Sequence, residues 1–310
     1  MTSAPASAAG VCVRVPAKVN VELRVGPPRA DGFHPVATVY QAVSLYDTVW
    51  VTPAADWSVE LSGRTTSGVP ADDSNLAVRA AMELAKAAGV RERAVVHIGK
   101  EIPVAGGMAG GSADAAAALV ACNRLWGLDW GIERLEPIAA RLGSDIPFLL
   151  HGGTALGSGR GEQVVPALTR GTYHWVFALS HGGLSTPAVY AECDRLRGSS
   201  LVPDPQPSPQ LLSALRSGDV VGVAALLAND LQAAAVSLHP GLGEVLDAGL
   251  RFGALGGIVS GSGPTIAFLA AGHEAALDLA VALTASGTAA DVRRAVGPTV
   301  GAHVDVVAGA

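Results

Sequence analysis

The segment 103-PVAGGMAGGSADAAAAL-119 places four glycines directly before a run of alanines. Glycine is a poor helix former and alanine the best one, so the chain is predicted to enter a helix near residue 111. The start of a helix leaves up to four backbone N–H groups without partners and carries about half a positive charge. Glycines let an anion approach such amides closely. The segment therefore predicts a phosphate site, with a tight helix–strand junction built for packing as the alternative.

Two familiar glycine motifs do not fit this segment. The spacing from Gly106 to Gly111 gives GxxxxG, but Ser112 and Ala113 stand where a P-loop requires Lys and then Ser or Thr. The dinucleotide fingerprint GxGxxG does not occur, and no acidic residue ends a strand about 20 residues further on. An oxidoreductase that binds a dinucleotide at this loop is therefore disfavoured.

Composition excludes several other classes of protein. The 310 residues are 49% hydrophobic with a net charge of −6 and no basic run, so neither disorder nor a nucleic-acid partner is predicted. No apolar stretch reaches the roughly 18 residues of a membrane span, and no secretory signal is evident. Three cysteines without CxxC spacing and histidines without HxxxH spacing favour no disulfide framework and no protein-ligated metal site. We predict a cytoplasmic protein whose oligomeric state the sequence does not give.

The pattern of elements predicts an α+β fold. Alternating valines indicate a strand over 11–25, interrupted by Pro16, and two strands over 36–53. Further predicted elements are helices at 75–89, 111–126, 131–142, 209–217, 219–236, 240–250 and 273–286, a strand–turn–strand unit at 255–272 and a terminal strand at 302–308. We place the domain boundary near residue 165, so that domain 1–165 holds the glycine loop and domain 166–310 holds a Gly-Ser-Gly turn.

Three motifs in order resemble those of the GHMP kinases, the superfamily of galacto-, homoserine, mevalonate and phosphomevalonate kinases. The segment Pro103–Ala116 resembles their phosphate loop, and 16-PAKVNVEL-23 and 259-VSGSGPTIAF-268 resemble their other two motifs. The resemblance implies a two-domain α+β GHMP kinase fold with the active site in the inter-domain cleft. It also implies ATP as the phosphoryl donor, with Mg²⁺ arriving together with the nucleotide.

Four further segments narrow the resemblance to one branch of the superfamily. They are 29-RADGFH-34, 73-DSNLAVRA-80, 110-GGSADAA-116 and 142-LGSDIPF-148. They resemble the kinases that phosphorylate the 2-hydroxyl of a methylerythritol carrying a cytidine diphosphate group, in the non-mevalonate route to isoprenoids. A homoserine or mevalonate type of kinase stays open, as does a non-catalytic nucleotide-binding sensor. Such a sensor is expected to lack the lysine or the aspartate assigned next.

The resemblance implies catalytic roles for Lys18 and Asp145. Asp145 would accept the proton of the attacking hydroxyl or hold that hydroxyl in line. The ammonium of Lys18 would keep the carboxylate ionised and offset charge on the transferred phosphoryl group. The alternatives are a helix cap at Asp145 or Ser144, with Pro147 in the first turn, and a solvent-facing strand position for Lys18.

The residues implied at the nucleotide are Asn75, Lys100, Pro103, Val104, Ala105, Gly106, Gly107, Met108, Ala109, Gly110, Gly111, Ser112 and Ala113. Ser112 is the candidate hydroxyl for magnesium. The alternative for Asn75 is a helix-start residue, and for Lys100 an exposed strand end.

The residues implied at the small-molecule substrate are Asn20, Phe33, His34, Tyr190, Gly261, Ser262 and Gly263. Phe33 and His34 would stack on and hydrogen-bond the cytosine, and Phe33 stands where the family often has tyrosine. Tyr190 would supply a second stacking face, with helix packing as its alternative. The turn 261–263 would line the cleft, with a plain hairpin as its alternative.

Overall fold

The computed structural model describes residues 10–104, 106–180 and 182–305. Over these residues the strands are β1 (Val11–Val25), β2 (Val36–Ala54), β3 (Ser58–Gly63), β4 (Arg93–Lys100), β5 (Thr154–Ser158), β6 (Gln163–Pro166), β7 (Tyr173–Leu179), β8 (Ala228–Asn229), β9 (Gly256–Val259), β10 (Ile266–Ala270), β11 (Asp291–Gly297) and β12 (His303–Val304). The helices are α1 (Leu76–Ala88), α2 (Gly110–Leu125), α3 (Ile132–Leu142), α4 (Ile146–His151), α5 (Thr186–Arg197), α6 (Pro209–Ser217), α7 (Val220–Ala225), α8 (Gln232–Leu238), α9 (Gly241–Arg251) and α10 (His273–Ser286).

The long antiparallel pair β1–β2 is the centre of an eight-stranded sheet. Its main path runs β12-β1-β2-β4-β3, while β5 pairs with β2, β6 with β5 and β8 with β1. Pro16 does not divide β1, because a register shift at Pro16/Ala17 absorbs the irregularity. The prediction of two strands over 36–53 was wrong. β2 is one strand, since the extra residues opposite that shift form a bulge rather than a turn.

One face of this sheet is covered by the alanine-rich helix α2, which packs against β1, β2 and α1. Its alanines from Ala115 to Ala118 are fully buried, and such small side chains let a helix lie close to a sheet. Asn75 caps the start of α1, and Gly89 ends it in the left-handed conformation with φ 68°. The glycine loop is thereby fixed between β4 and a deeply buried helix.

A second, four-stranded sheet of order β11-β7-β10-β9 joins the two halves of the chain. Alternate residues of β7 serve different cores, because successive side chains of a strand point to opposite faces. Trp175 and Phe177 belong to the core of the larger sheet, and Val176 and Ala178 to the core formed with α5, α8, α9 and α10. The indole N–H of Trp175 donates to the Gln41 amide oxygen of β2 at 2.8 Å.

Several predicted elements of the second half are corrected by the structure. The single helix predicted over 219–236 was wrong, because β8 interrupts it and pairs in parallel with Glu22 and Leu23 of β1. β3 and β11 were not predicted, and of the strand predicted over 302–308 the structure shows β12, residues 306–310 lying outside the described part. The boundary near residue 165 stays a prediction. Across residues 10–104, 106–180 and 182–305, no helix combines the length and apolarity needed to cross a bilayer.

Candidate active site

A cavity of about 760 Å³ is lined by residues of β1, the glycine loop, the segment just before α4, α5 and the turn between β9 and β10. The cavity thus draws on both halves of the chain. The residues assigned from the sequence that line it are Lys18, Asn20, Phe33, His34, Pro103, Gly106, Gly107, Ala109, Gly110, Gly111, Ser112, Asp145, Tyr190, Gly261, Ser262 and Gly263.

The start of α2 opens into this cavity without a side-chain cap. Ala109 occupies the N-cap position in the left-handed conformation, with φ 62°. Its methyl side chain cannot accept a hydrogen bond from the amides of the first turn. A Cβ built on Gly111 would meet no atom within 4 Å, so the space in front of the first amides is open. An uncapped N-terminus of a 16-residue helix fits the anionic phosphates of a nucleotide.

The glycine loop also contacts the Gly-Ser-Gly turn. Gly107 has φ 72°, and a Cβ there would lie 2.0 Å from the backbone oxygen of Ser260. The Ser260 hydroxyl donates to the Gly107 oxygen at 3.0 Å. Gly261 lies close to Lys18, whose Nζ would be 3.3 Å from a Cβ at that position. Glycine at these places permits the close approach of two backbones and an ammonium group.

Lys18 and Asp145 meet in the cavity, with 3.8 Å between Nζ and Oδ2. Lys18 is 4% exposed and also donates to the Asn20 amide oxygen at 2.6 Å, as two residues on one face of a strand can. Asn20 in turn donates to Thr38 at 2.8 Å. The Tyr40 hydroxyl donates to Oδ1 of Asp145 at 3.1 Å. Burial, reinforced by the Asp145 charge, raises the pKa of Tyr40 well above its usual value, so its hydroxyl stays a donor.

Asp145 occupies the N-cap position of α4, yet its side chain does not cap the helix. Its carboxylate faces Lys18 and Tyr40 instead, and its side chain keeps 29% of its surface exposed. The capping role considered for Asp145 is therefore wrong for its side chain. Pro147 does lie in the first turn of α4, where its missing N–H costs nothing.

A group of aromatic and charged side chains lines another part of the cavity. His34 Nε2 lies 3.0 Å from both carboxylate oxygens of Asp194, and its ring centroid lies 5.0 Å from that of Tyr190. The Arg160 guanidinium lies over the Phe33 ring at 4.8 Å. Burial, with a smaller contribution from Asp145, raises the pKa of Tyr190 to about 12. Flat rings beside hydrogen-bonding groups suit a planar heterocycle.

The Gly-Ser-Gly turn is held in place from two sides. Ser262 and Thr186 of α5 share a hydrogen bond of 2.8 Å between their hydroxyls. The Asn229 amide donates to the backbone oxygens of Val259 and Gly261, each at 2.7 Å. The turn is thus tied to α5 and β8 as well as to the glycine loop.

Two residues assigned to the nucleotide, Asn75 and Lys100, do not line this cavity, and their side chains bond protein partners. The Asn75 amide oxygen accepts from Ala77 N at 2.9 Å, and its amide nitrogen donates to Pro70 O at 2.8 Å. This side chain is therefore used at the start of α1. Lys100 is 1% exposed and its ammonium lies between the carboxylates of Asp47 and Asp114. It contacts the loop from beneath rather than from the cavity.

Three residues of the assigned loop do not line the cavity. Val104 is partly exposed, while Met108 and Ala113 are fully buried in the core of the larger sheet. The backbone oxygen of Met108 accepts from Lys18 N at 3.3 Å, which ties the loop to β1. Ala105 lies outside the described residues.

The lining residues that sequence reasoning missed include Tyr40, Arg160 and Asp194. Asp194 follows Tyr190 by four residues on α5, a spacing that puts both on one helix face and could have indicated it. Tyr40 lies opposite Asn20 in the pairing of β1 with β2. The register of this pairing depends on the bulges at Pro16/Ala17 and Asn20/Glu22, which the sequence does not reveal. Arg160 lies in the turn between β5 and β6, and no sequence signal distinguishes it.

The oxygen donors of the cavity are few. Within the described ranges, no group of three or more His, Cys, Asp or Glu side chains could hold a metal ion. The Ser112 hydroxyl and the Asp145 carboxylate both line the cavity, and oxygen ligands of this kind suit Mg²⁺ bound jointly with phosphates. These residues fit a magnesium ion carried by a nucleotide.

Comparisons with known proteins agree with the geometry. The family model for the GHMP kinases N terminal domain matches residues 75–153, and that for the GHMP kinases C terminal matches 211–289. A 4-diphosphocytidyl-2-C-methyl-D-erythritol kinase of Streptomyces avermitilis is 54% identical over 294 residues, which cover 95% of this chain and 99% of the relative. A kinase of the same description from Nocardia farcinica is 54% identical over 297 residues, 95% of this chain and 96% of the relative.

Among solved structures, a 4-(cytidine 5'-diphospho)-2C-methyl-D-erythritol kinase superposes with a TM-score of 0.74 at 32% identity, covering 91% of this chain and 97% of that one. These matches confirm the predicted two-domain α+β GHMP kinase fold and the resemblance on which it rested. The chain belongs to the 4-diphosphocytidyl-2-C-methyl-D-erythritol kinase family of the GHMP kinases.

Proposed function

We propose that this chain transfers the γ-phosphoryl group of ATP to the 2-hydroxyl of 4-diphosphocytidyl-2-C-methyl-D-erythritol. The observation that carries the proposal is the pair formed by Lys18 and Asp145, 3.8 Å apart, in one cavity with the uncapped start of α2. An anion site, a cation and a carboxylate in one cavity are the parts that phosphoryl transfer requires. The relatives' names supply the identity of the substrate.

Asp145 is the proposed base or orienting group. Its carboxylate accepts the hydroxyl proton as the substrate oxygen forms a bond to the γ-phosphorus, while the bond from that phosphorus to ADP breaks and ADP leaves. The Tyr40 hydroxyl donates to Oδ1 of this carboxylate, and the Lys18 ammonium lies 3.8 Å from Oδ2. The Lys18 ammonium offsets charge that develops on the transferred group.

The backbone amides of Gly110, Gly111 and Ser112 are proposed to hold the nucleotide phosphates. The first backbone bond of α2 comes from Ala113 N to Ala109 O at 2.8 Å, so the preceding amides are available to a ligand. The Ser112 hydroxyl is the proposed protein ligand of Mg²⁺. When bound with ATP, this ion would supply neutralisation of phosphate charge during transfer.

The cytosine end of the substrate is proposed to bind among Phe33, His34 and Tyr190. The rings of His34 and Tyr190 are inclined by 40° and offer a stacking surface, and the Phe33 ring carries Arg160 on one side. Gly261 lies beside Asn20 and Gly107 of the glycine loop, and the diphosphate linkage is proposed to pass along this turn.

The test is an assay of ADP release by the purified protein with ATP, Mg²⁺ and a panel of alcohols. The panel contains the cytidine diphosphate substrate, free methylerythritol phosphate, homoserine and mevalonate. Turnover is expected with the first compound, at a kcat/KM at least ~100-fold above the others, because only it can occupy the ring site as well as the transfer site. Preferential turnover of homoserine or mevalonate would contradict the proposed substrate. ATP binding without turnover of any alcohol would favour a nucleotide-binding sensor.

A further inference from the structure

The pairing of His34 with Asp194 fixes which nitrogen of the imidazole can face a ligand. Nε2 lies 3.0 Å from both oxygens of the Asp194 carboxylate. An ionised carboxylate only accepts hydrogen bonds, so Nε2 carries a hydrogen. In a neutral imidazole the other nitrogen, Nδ1, is then an acceptor.

Nδ1 of His34 makes no hydrogen bond to any residue among those that the structure describes. His34 and Asp194 both line the cavity, and their side chains are 8% and 34% exposed. Tyr190, four residues before Asp194 on α5, stands beside the imidazole with 5.0 Å between ring centroids. The acceptor therefore lies next to an aromatic surface inside the cavity.

We propose that Asp194 is a positioning residue that makes His34 Nδ1 an acceptor and so selects an amino pyrimidine over an oxo pyrimidine. Cytosine presents an exocyclic N4 amino group, which donates, at the position where uracil presents an O4 carbonyl, which accepts. Uracil would place two acceptors face to face and leave both without a partner, which a buried site disfavours. The inference rests on the proposed function and specifies how the cytosine base of its substrate is recognised.

A merely structural role for Asp194 makes a different prediction. The same contact joins the loop before β2 to α5, so its loss could lower stability and weaken every ligand equally. Tautomer control instead changes the ratio of the affinities for the two bases. The ratio is therefore the quantity to measure.

The experiment compares the dissociation constants of CDP and UDP by titration calorimetry. The wild-type chain is expected to bind CDP at least ~10-fold more tightly than UDP, the size of one hydrogen bond gained against one lost. Asp194→Ala should reduce that ratio about tenfold, through weaker CDP and stronger UDP binding, since the freed imidazole can take either tautomer. Asp194→Asn keeps the side-chain volume and should give an intermediate ratio, because its amide can accept or donate.

Two controls complete the design. Arg195→Ala changes the next residue of α5, whose side chain is 67% exposed, and should keep the wild-type ratio. His34→Ala should abolish the preference, and Asp194→Ala added to it should change the ratio no further, because the aspartate acts through the imidazole. Thermal unfolding of each variant identifies any loss of folded protein, and Asp194→Asn carries the test if Asp194→Ala does not fold.

The outcomes separate the two proposals. A wild-type preference for CDP that survives in both Asp194 variants overturns the tautomer proposal and leaves the kinase assignment intact. A wild-type preference for UDP also overturns it, since it would indicate an imidazolium that donates from both nitrogens. A chain that binds neither nucleotide and releases no ADP with the cytidine diphosphate substrate contradicts the proposed function, and the tautomer proposal falls with it.

Discussion

Two of the three lysines of this chain are buried, and their surroundings are opposite in character. Lys18 lies at the cavity wall, with one carboxylate at 3.8 Å and one amide oxygen at 2.6 Å. Lys100 lies beneath the glycine loop between two carboxylates, Asp47 and Asp114, with its side chain and both of theirs almost fully enclosed. One ammonium faces a ligand site and the other is enclosed by protein anions.

The surroundings of Lys100 suit a structural role, whereas those of Lys18 suit contact with a ligand. Desolvation disfavours the charge of Lys100, but the carboxylates of Asp114 and Asp47 more than offset it and raise the pKa of this lysine. Asp47 also accepts from the backbone N–H groups of Glu101 and Ile102, at 2.6 and 2.9 Å, immediately before the loop. The buried cluster Asp47–Lys100–Asp114 therefore anchors both ends of the glycine loop, while Lys18 faces the cavity.

Removing the enclosed cation should have the largest effect of the changes considered. Lys100→Met leaves two buried carboxylates without their counter-charge, so the free energy of unfolding should fall by about 3–5 kcal/mol. Denaturant titration measures the loss. Lys86→Met is the matched control, because the third lysine is exposed on α1 and its loss should change stability by less than about 0.5 kcal/mol. An equal effect of the two substitutions would show that the buried cluster contributes no specific stability.

The same cluster predicts a dependence on pH. Burial raises the pKa of the Asp114 carboxyl well above its usual value, Lys100 opposes this rise and Asp47 adds to it. A carboxyl whose pKa is higher in the folded than in the unfolded state stabilises the fold at low pH, and this contribution is lost as the pH rises through the folded value. Without Lys100 the rise is larger, so the deficit of Lys100→Met should narrow as the pH falls below neutrality. A deficit that widens on acidification would contradict this sign.

At the open lysine, the partner carboxylate should control the chemical step. Asp145→Asn removes the proton acceptor while keeping the side-chain volume, so kcat should fall by ~10²-fold or more with little change in the KM for ATP. Steady-state kinetics measure both constants. Asp278→Asn, at an exposed position of α10, is the matched control and should retain wild-type turnover. Near-wild-type turnover of Asp145→Asn would remove Asp145 as base or orienting group.

Two glycines of the loop are expected to have different roles, Gly111 in leaving room for a ligand and Gly107 in backbone packing. A Cβ on Gly111 meets no protein atom, so Gly111→Ala should fold normally but obstruct the phosphates, raising the KM for ATP about tenfold. A Cβ on Gly107 would lie 2.0 Å from Ser260 O, so Gly107→Ala should instead lower the melting temperature. Kinetics and thermal unfolding of both variants test the distinction. Unchanged ATP kinetics in Gly111→Ala would contradict phosphate binding at the start of α2.

Local sequence patterns predicted the parts of the fold that depend on local chemistry. The glycines before the alanine run located the start of α2, and Gly89 located the end of α1, since both are properties of the backbone near one residue. The break predicted in β2 and the continuous helix predicted over 219–236 failed because sheet pairing decided them. The bulge opposite Pro16 and the pairing of β8 with β1 depend on residues far away in the chain.

The same limit applies to the site. The motifs indicated Lys18 and Asp145, but which lysine faces the cavity is decided by carboxylates that arrive from other elements. Asp47 lies 53 positions from Lys100 in the chain, and Asp194 lies 160 positions from His34. Neither pair leaves a spacing that a sequence pattern could show.

The smallest expected effect concerns the hydroxyl that fixes Asp145. Tyr40→Phe keeps the ring stacked on Phe148, with 4.8 Å between centroids, and removes the hydroxyl that lies 3.1 Å from Oδ1 and 3.5 Å from Gly161 O. Because one neutral hydrogen bond positions a carboxylate that Lys18 also contacts, kcat should fall about 3- to 10-fold with the KM values unchanged. Tyr46→Phe, whose hydroxyl bonds Thr299 at 2.7 Å, is the matched control and should keep wild-type kcat. A rise in KM without loss of kcat would place Tyr40 in ground-state binding rather than in positioning Asp145 for transfer.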